Sequence, residues 1–209
     1  MKKIIITGGL GYIGTELCKI YSGTSWNDKI TVIDNRFVSE RINQLRNWNI
    51  DFVHGDILDK KLIEKLCADA DIVHHLAGIT DVPRVKSESN DANDKKIKLV
   101  AEEGTQNILD VINKNCKIIM PSTHVVFEGI KEVKNDILEN EETNPILSYG
   151  KSKDLNEKQL KSSGKNYIIL RLGSVYGYST DTARIDIMPN FFSKMASQGG
   201  TLKLFSGGR

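Results

Sequence analysis

Short aliphatic runs alternate with amphipathic stretches over most of this chain. Lys3 to Thr7, Ile30 to Asp34, Phe52 to His54, Ile72 to Leu76, Lys117 to Ser122 and Tyr167 to Leu172 are apolar without the in-and-out alternation of a one-sided sheet, so they read as strands covered on both faces. Helical periodicity fills the gaps, at Tyr12 to Tyr21, Glu40 to Asn47, Lys60 to Leu66, Asp94 to Lys114 and Tyr149 to Ser162. In the longest of these, Ile97, Val100, Ala101, Gly104, Ile108, Val111 and Ile112 form one apolar stripe, the mark of a helix packed on a sheet by one face. Strand and helix in alternation predict an α/β fold, a doubly wound parallel sheet.

Two segments break the rhythm. Thr80 to Asn93 and Glu128 to Leu147 are polar and longer than simple connectors, and both follow strand C-terminal ends, where open α/β sheets bind ligands. Beyond Gly177 the pattern changes, with a helix expected at Pro189 to Gln198 and a strand at Thr201 to Phe205. The expected division is residues 1–177 as one domain and 178–209 as part of a second lobe.

Composition narrows the function classes. With 209 residues there is room for one sizeable core, and 29 basic against 27 acidic residues leave a formal charge of +2, no field for nucleic acid. No apolar run is long enough to span a membrane, and the opening Met1-Lys2-Lys3 leads straight into a strand, so a cytoplasmic protein is expected. Cys18, Cys67 and Cys116 are far apart with no CxxC pair, and His54, His74 and His75 lack metal-site spacing, so neither a disulfide framework nor a metal centre follows.

The strongest chemical signal is Thr7-Gly8-Gly9-Leu10-Gly11-Tyr12-Ile13-Gly14, between the first strand and the first helix. Glycines there let the backbone turn tightly against a pyrophosphate while the helix N-terminus offers free N–H groups. Asp34 ends the second strand twenty residues after Gly14. A carboxylate at that point accepts the ribose hydroxyls of an adenosine and repels a 2′-phosphate, favouring NAD over NADP, with Arg36 as a complication.

From here the chain resembles the extended short-chain dehydrogenase/reductase family, in particular its nucleotide-sugar epimerases and dehydratases, the UDP-glucose 4-epimerases among them. The landmarks stand in the family's order: the glycine turn, Asp34-Asn35, Gly55-Asp56-Ile57, His75-Leu76-Ala77-Gly78, Gly104-Thr105, Pro121-Ser122-Thr123, Tyr149-Gly150-Lys151-Ser152-Lys153 and Arg171-Leu172-Gly173-Ser174-Val175-Tyr176-Gly177. The resemblance implies a Rossmann-type NAD domain followed by a partial substrate lobe. Gly8, Gly11, Tyr12, Ile13, Gly14, Asp34 and Asn35 would hold the cofactor, Asp56 and Ile57 its adenine, and Leu76, Ala77 and Gly78 would lie along its middle.

Tyr149 and Lys153, four apart, share a helix face, and an ammonium beside a phenol favours the phenolate, giving a general base. Lys153 also reaches for the nicotinamide ribose. By resemblance Thr123 completes the catalytic set. The 4,6-dehydratases of the family carry an acidic pair after that position, whereas this chain has His124, read as structural, and Val125, which favours epimerisation, with C4 of a nucleotide sugar as the expected centre. A dehydratase or reductase of the same family, or a non-catalytic dinucleotide-binding protein, are the rival readings. Two departures from the family pattern are Ala101-Glu102, where Asn-Val is usual, and Ser174, where Asn is usual. The resemblance also implies pairing into a homodimer through two long helices, although Glu102, Glu103, Gln106, Lys158 and Lys161 leave those faces polar. Because Ser206-Gly207-Gly208-Arg209 resembles a turn preceding further substrate-lobe chain, the expectation is a complete cofactor site with weak nucleotide-sugar binding.

Overall fold

The computed structural model describes residues 1–24, 27–80, 90–132, 134–179, 184–185 and 187–204. Six strands, β1 (Lys3–Thr7), β2 (Lys29–Asp34), β3 (Asp51–His54), β4 (Ile72–His75), β5 (Lys117–Thr123) and β6 (Asn166–Leu172), form one sheet in the order β3-β2-β1-β4-β5-β6. All five pairings are parallel. Helices α1 (Tyr12–Thr24), α2 (Ser39–Asn47), α3 (Lys60–Cys67), α4 (Asp91–Val111) and α5 (Ser148–Ser162) connect them. The order reverses between β1 and β4, the switch point at which such sheets open a crevice at their C-terminal edge.

Alternation along β1 explains both faces. Ile4 and Ile6 join Leu10, Cys18, Val32, Ile42 and Leu45 in a layer under α1 and α2. Ile5 points the other way, into a layer with Ile63, Val73, Ile108, Ile118, Met120 and Leu160 under α3, α4 and α5. Of the stripe on α4, Ile97, Gly104 and Ile108 are buried and Val100, Ala101 and Val111 partly so, with Thr105 and Leu109 added to it and Ile112 buried just past its end. Asp59 caps α3 by accepting from Leu62 N–H at 3.1 Å, and Asn90 caps α4 by accepting from Asn93 N–H at 2.9 Å.

Two sequence readings are corrected. The last strand is not covered on both faces: β6 is a sheet edge, and Tyr167, Ile168 and Leu170 remain partly exposed. Thr201 to Leu204 form no strand, since no described segment offers them a ladder of hydrogen-bond partners. Phe205, Ser206 to Arg209 and residues 81–89 lie outside the described residues.

The chain divides into two compact units, Met1–Leu172 and Gly173–Arg209. Within the second, α6 (Met188–Ser197) begins with Pro189 in its first turn, and Asn190 accepts from Gly177 N–H at 3.0 Å and donates to Arg184 O at 2.8 Å. Among the described residues no helix is long and apolar enough to cross a membrane.

Ile5 is wholly buried in the middle of the sheet, and Ile20 is mostly exposed. Ile5→Ala is therefore expected to cost about 2–5 kcal/mol and Ile20→Ala less than about 0.5 kcal/mol, both measured by urea unfolding.

Candidate active site

The C-terminal ends of β1, β2, β4 and β5 meet around the glycine turn. Gly8 takes φ +70°, the left-handed region, and its N–H donates to Ile33 O at 2.7 Å. A Cβ on Gly8 would lie 2.7 Å from the backbone nitrogen of Ala77, and one on Gly14 would lie 2.6 Å from Cα of Gly9. Bare backbone is thus what lets the turn sit against the end of β4 and lets α1 start against the turn. Tyr12, Ile13 and Gly14 form the first turn of α1, so the positive end of that helix's dipole faces this edge.

Asp34, at the end of β2, is buried, yet all its acceptor capacity is used. Its Oδ1 accepts from the backbone N–H and Nε of Arg36 at 3.0 and 3.2 Å, and Oδ2 accepts from Leu10 N–H at 3.0 Å and Arg36 Nη2 at 3.3 Å. Next to it Asn35 donates to Asp56 Oδ2, and Leu58 N–H donates to Asp56 Oδ1, each at 2.9 Å. Ile57 is a core residue packed against the bare Gly104. At the end of β4, Leu76 packs on the layer under α1 and Ala77 on the layer under α4, while Gly78 is exposed. Among the described residues, a Cβ on Gly78 would meet only Lys153 Nζ, 3.9 Å away.

Thr123 ends β5 and its oxygen caps a short 3-10 turn, His124 to Phe127, by accepting from Val125 N–H at 3.3 Å. Its own O–H proton remains to be donated. Lys153 is buried on α5, donates to Pro121 O at 3.0 Å, and has its pKa lowered to about 8 by burial. Tyr149 is half-buried one helical turn earlier. His124 donates from Nδ1 to Leu172 O at 3.3 Å, which ties the 3-10 turn to β6.

Two buried networks brace these groups, and their partners lie far apart along the chain. In the first, His75 Nδ1 and Nε2 contact Thr7 Oγ1 at 3.0 Å and Thr105 Oγ1 at 2.9 Å. Thr7 Oγ1 also accepts from Ala77 N–H at 3.2 Å, and Asn156 of α5 donates to Thr105 Oγ1 at 2.9 Å and to Ala101 O at 2.8 Å. Burial, with the charge of Lys153 second, lowers the ring's pKa to about 3, so it is neutral and donates to one hydroxyl while accepting from the other. In the second, Glu157 accepts from Ser122 Oγ at 2.6 Å, from Arg171 Nε at 2.9 Å and Nη2 at 2.7 Å, and from Lys161 at 3.2 Å. Arg171 in turn lies over the Phe127 ring at 4.9 Å and donates to Glu139 O at 3.1 Å. The one available signal was helical spacing, since Glu157 continues the series of Tyr149 and Lys153 at intervals of four.

The family model described as "NAD dependent epimerase/dehydratase family" matches residues 4–209. The chain belongs to that family. Relatives include a UDP-glucose 4-epimerase of Mycoplasma genitalium, 32% identical in an alignment 190 positions long that covers 84% of this chain and 53% of that protein. A dTDP-D-glucose 4,6-dehydratase of Dictyostelium discoideum is 32% identical in an alignment 198 positions long that covers 85% of this chain and 44% of that protein. Among solved structures, the Bordetella bronchiseptica enzyme WbmH in complex with NAD+ superposes with a TM-score of 0.75 at 26% identity, covering 96% of this chain and 64% of that one. The chain thus spans less than two thirds of the length of these relatives.

Glu157 offers the sharpest test of the site's framework. Burial alone would push its carboxyl up, but the hydrogen bonds from Arg171, Ser122 and Lys161 outweigh it and hold the group at about 2, below its ordinary 4.5. A depressed acid stabilises the fold above its unfolded pKa and loses that contribution as pH falls through the folded value. Glu157→Gln is expected to cost about 3–5 kcal/mol near neutral pH, because the Arg171 charge stays behind without its partner. That deficit against the unaltered protein should persist down to about pH 4.5 and close between 4.5 and 2, as followed by chemical unfolding across that range.

Proposed function

We propose that this chain binds NAD along the β1, β2, β4 edge and epimerises a nucleotide sugar at C4. Residues 1–177 would form the cofactor domain and 178–209 part of the substrate lobe. The observation that carries the reading is the position of Lys153: a buried ammonium at the ends of β4 and β5, beside Gly78 and one helical turn from Tyr149. The bare-backbone cradle of Gly8, Gly11 and Gly14 suits a pyrophosphate, with the start of α1 supplying N–H groups and a favourable dipole. Leu76 to Gly78 continue that cradle toward Lys153, so the residues present fit a dinucleotide laid across the switch point.

NAD held by the glycine turn, Asp34 and Lys153 would supply the acceptor and donor of hydride for the sugar carbon. The protein's part is the proton. Tyr149 as phenolate takes the proton of the C4 hydroxyl onto Oη, and Lys153, positive below about pH 8, favours that phenolate by its charge. Thr123 keeps a proton to donate toward the substrate oxygen while its own oxygen stays anchored on Val125 N–H. With the C4 ketone presented by its other face, Tyr149 would return the proton to that oxygen, leaving no net redox change. Elimination of water needs a further acid and base. The positions after Thr123 are His124, held by the β6 backbone, and Val125, which supports epimerisation over dehydration.

Tyr149→Phe removes one hydroxyl. It is expected to leave NAD affinity by calorimetry within about twofold and to lower turnover about 100 to 10,000-fold, the usual cost of a lost general base. A substrate carrying deuterium at C4 should keep its label in the product. Unchanged turnover in the Phe variant, or washout of the label, would overturn the mechanism.

A further inference from the structure

Arg36 stands where NAD binding does not require it. An ionised carboxylate offers about four acceptor positions, and on Asp34 two are filled by backbone N–H groups, of Leu10 and Arg36, and two by the Arg36 guanidinium. Ribose hydroxyls directed at Asp34 therefore compete with donors already in place. The backbone donors belong to the glycine turn and the strand end and leave only if the turn itself moves. The guanidinium differs: the Arg36 side chain is 52% exposed against 4% for that of Asp34, so it swings out into water at little cost. It also hangs over the turn, with Nη2 3.8 Å from the point a Cβ on Gly11 would occupy.

We propose that Arg36 sets the cofactor preference of this chain, yielding Asp34 to the ribose hydroxyls of NAD and, for NADP, standing as a planar charged fork between the Asp34 carboxylate and the 2′-phosphate, so that the site takes NADP as well as NAD. The physical basis is that Asp34 is not a bare charge. A carboxylate paired by a guanidinium repels a phosphate far less than an open one, and the guanidinium's donor geometry matches phosphate oxygens in pairs. Asp34 alone would exclude NADP, whereas the Asp34 and Arg36 pair admits it. The inference rests on the reading of the glycine turn as a dinucleotide site.

Calorimetric titration of both dinucleotides into the unaltered protein and into Arg36→Gln and Arg36→Lys tests it without any need for turnover. The unaltered protein is expected to bind NADP within about tenfold of NAD, and Arg36→Gln to weaken NADP by about tenfold or more, the scale of a lost charge-assisted pair, while NAD binds at least as tightly as before. Arg36→Lys, which keeps the charge and loses the fork, should fall between. An unaltered protein that prefers NAD by about a hundredfold or more, or an Arg36→Gln protein with an unchanged preference, would overturn the role of Arg36 and leave the NAD reading standing. Binding of neither dinucleotide to the unaltered protein would overturn both.

Discussion

The carboxylate of Glu157 is the contact on which the placement of the candidate catalytic groups depends. It is almost wholly buried, and it binds three elements at once: α5, on which it sits, β5 through Ser122, and β6 through Arg171. An isolated buried charge would be ruinous, so this one is worth keeping only with all its donors in place. That requirement is geometric as well as energetic. Lys153 lies one helical turn before Glu157 and Tyr149 one turn before that, on the same face of α5. A rotation or slide of α5 that misplaced Lys153 would also pull Glu157 off Ser122 and Arg171. The fold's stability and the alignment of the proposed base are therefore enforced by the same hydrogen bonds.

The His75 network does the corresponding work for the cofactor side. It starts at Ala77 N–H, beside the bare Gly8, and passes through Thr7, His75 and Thr105 to Asn156 of α5. Asn156 and Glu157 are adjacent, so the two networks reach α5 at neighbouring positions, one from the glycine turn and one from β5 and β6. With the ring neutral down to about pH 3, the chain of hydroxyl and imidazole bonds keeps one arrangement across the neutral and mildly acid range. A protonated ring would have two donors and no acceptor and would force one of the threonine hydroxyls to turn away.

How much of this was legible in the sequence follows from what each feature depends on. The strands of the central sheet were readable because a strand covered on both faces is apolar throughout, and the glycine turn because its residues lie together and its chemistry is local. Tyr167 to Leu172 misled for the same reason: its composition is that of a covered strand, but its place at the sheet edge is a property of topology. The two networks were hidden by distance along the chain. Ser122 and Arg171 lie 35 and 14 residues from Glu157, and Thr7 lies 68 from His75, so only the order β3-β2-β1-β4-β5-β6 brings them together. Thr123 was placed correctly at a strand end, yet its use as a cap on the next turn depends on the backbone conformation of residues 124 to 127.

Three charges buried in this region are satisfied to different degrees, and the difference separates framework from chemistry. Glu157 is bonded by donors that are themselves packed or tethered, and its low pKa records that it never changes state. Asp34 is equally saturated, but half of its bonds come from an exposed side chain that can leave, so its carboxylate can be uncovered for a ligand without unmaking the fold. Lys153 stands at the other extreme. Among the described residues its acceptor is one neutral carbonyl and no anion offsets its burial, and its pKa is drawn down to about 8. A buried ammonium in that condition gains most from a negative charge arriving nearby, and a phenolate on Tyr149 is such a charge. On the proposed mechanism, the cost of burying Lys153 in the resting protein is what would favour a negative charge on its neighbour.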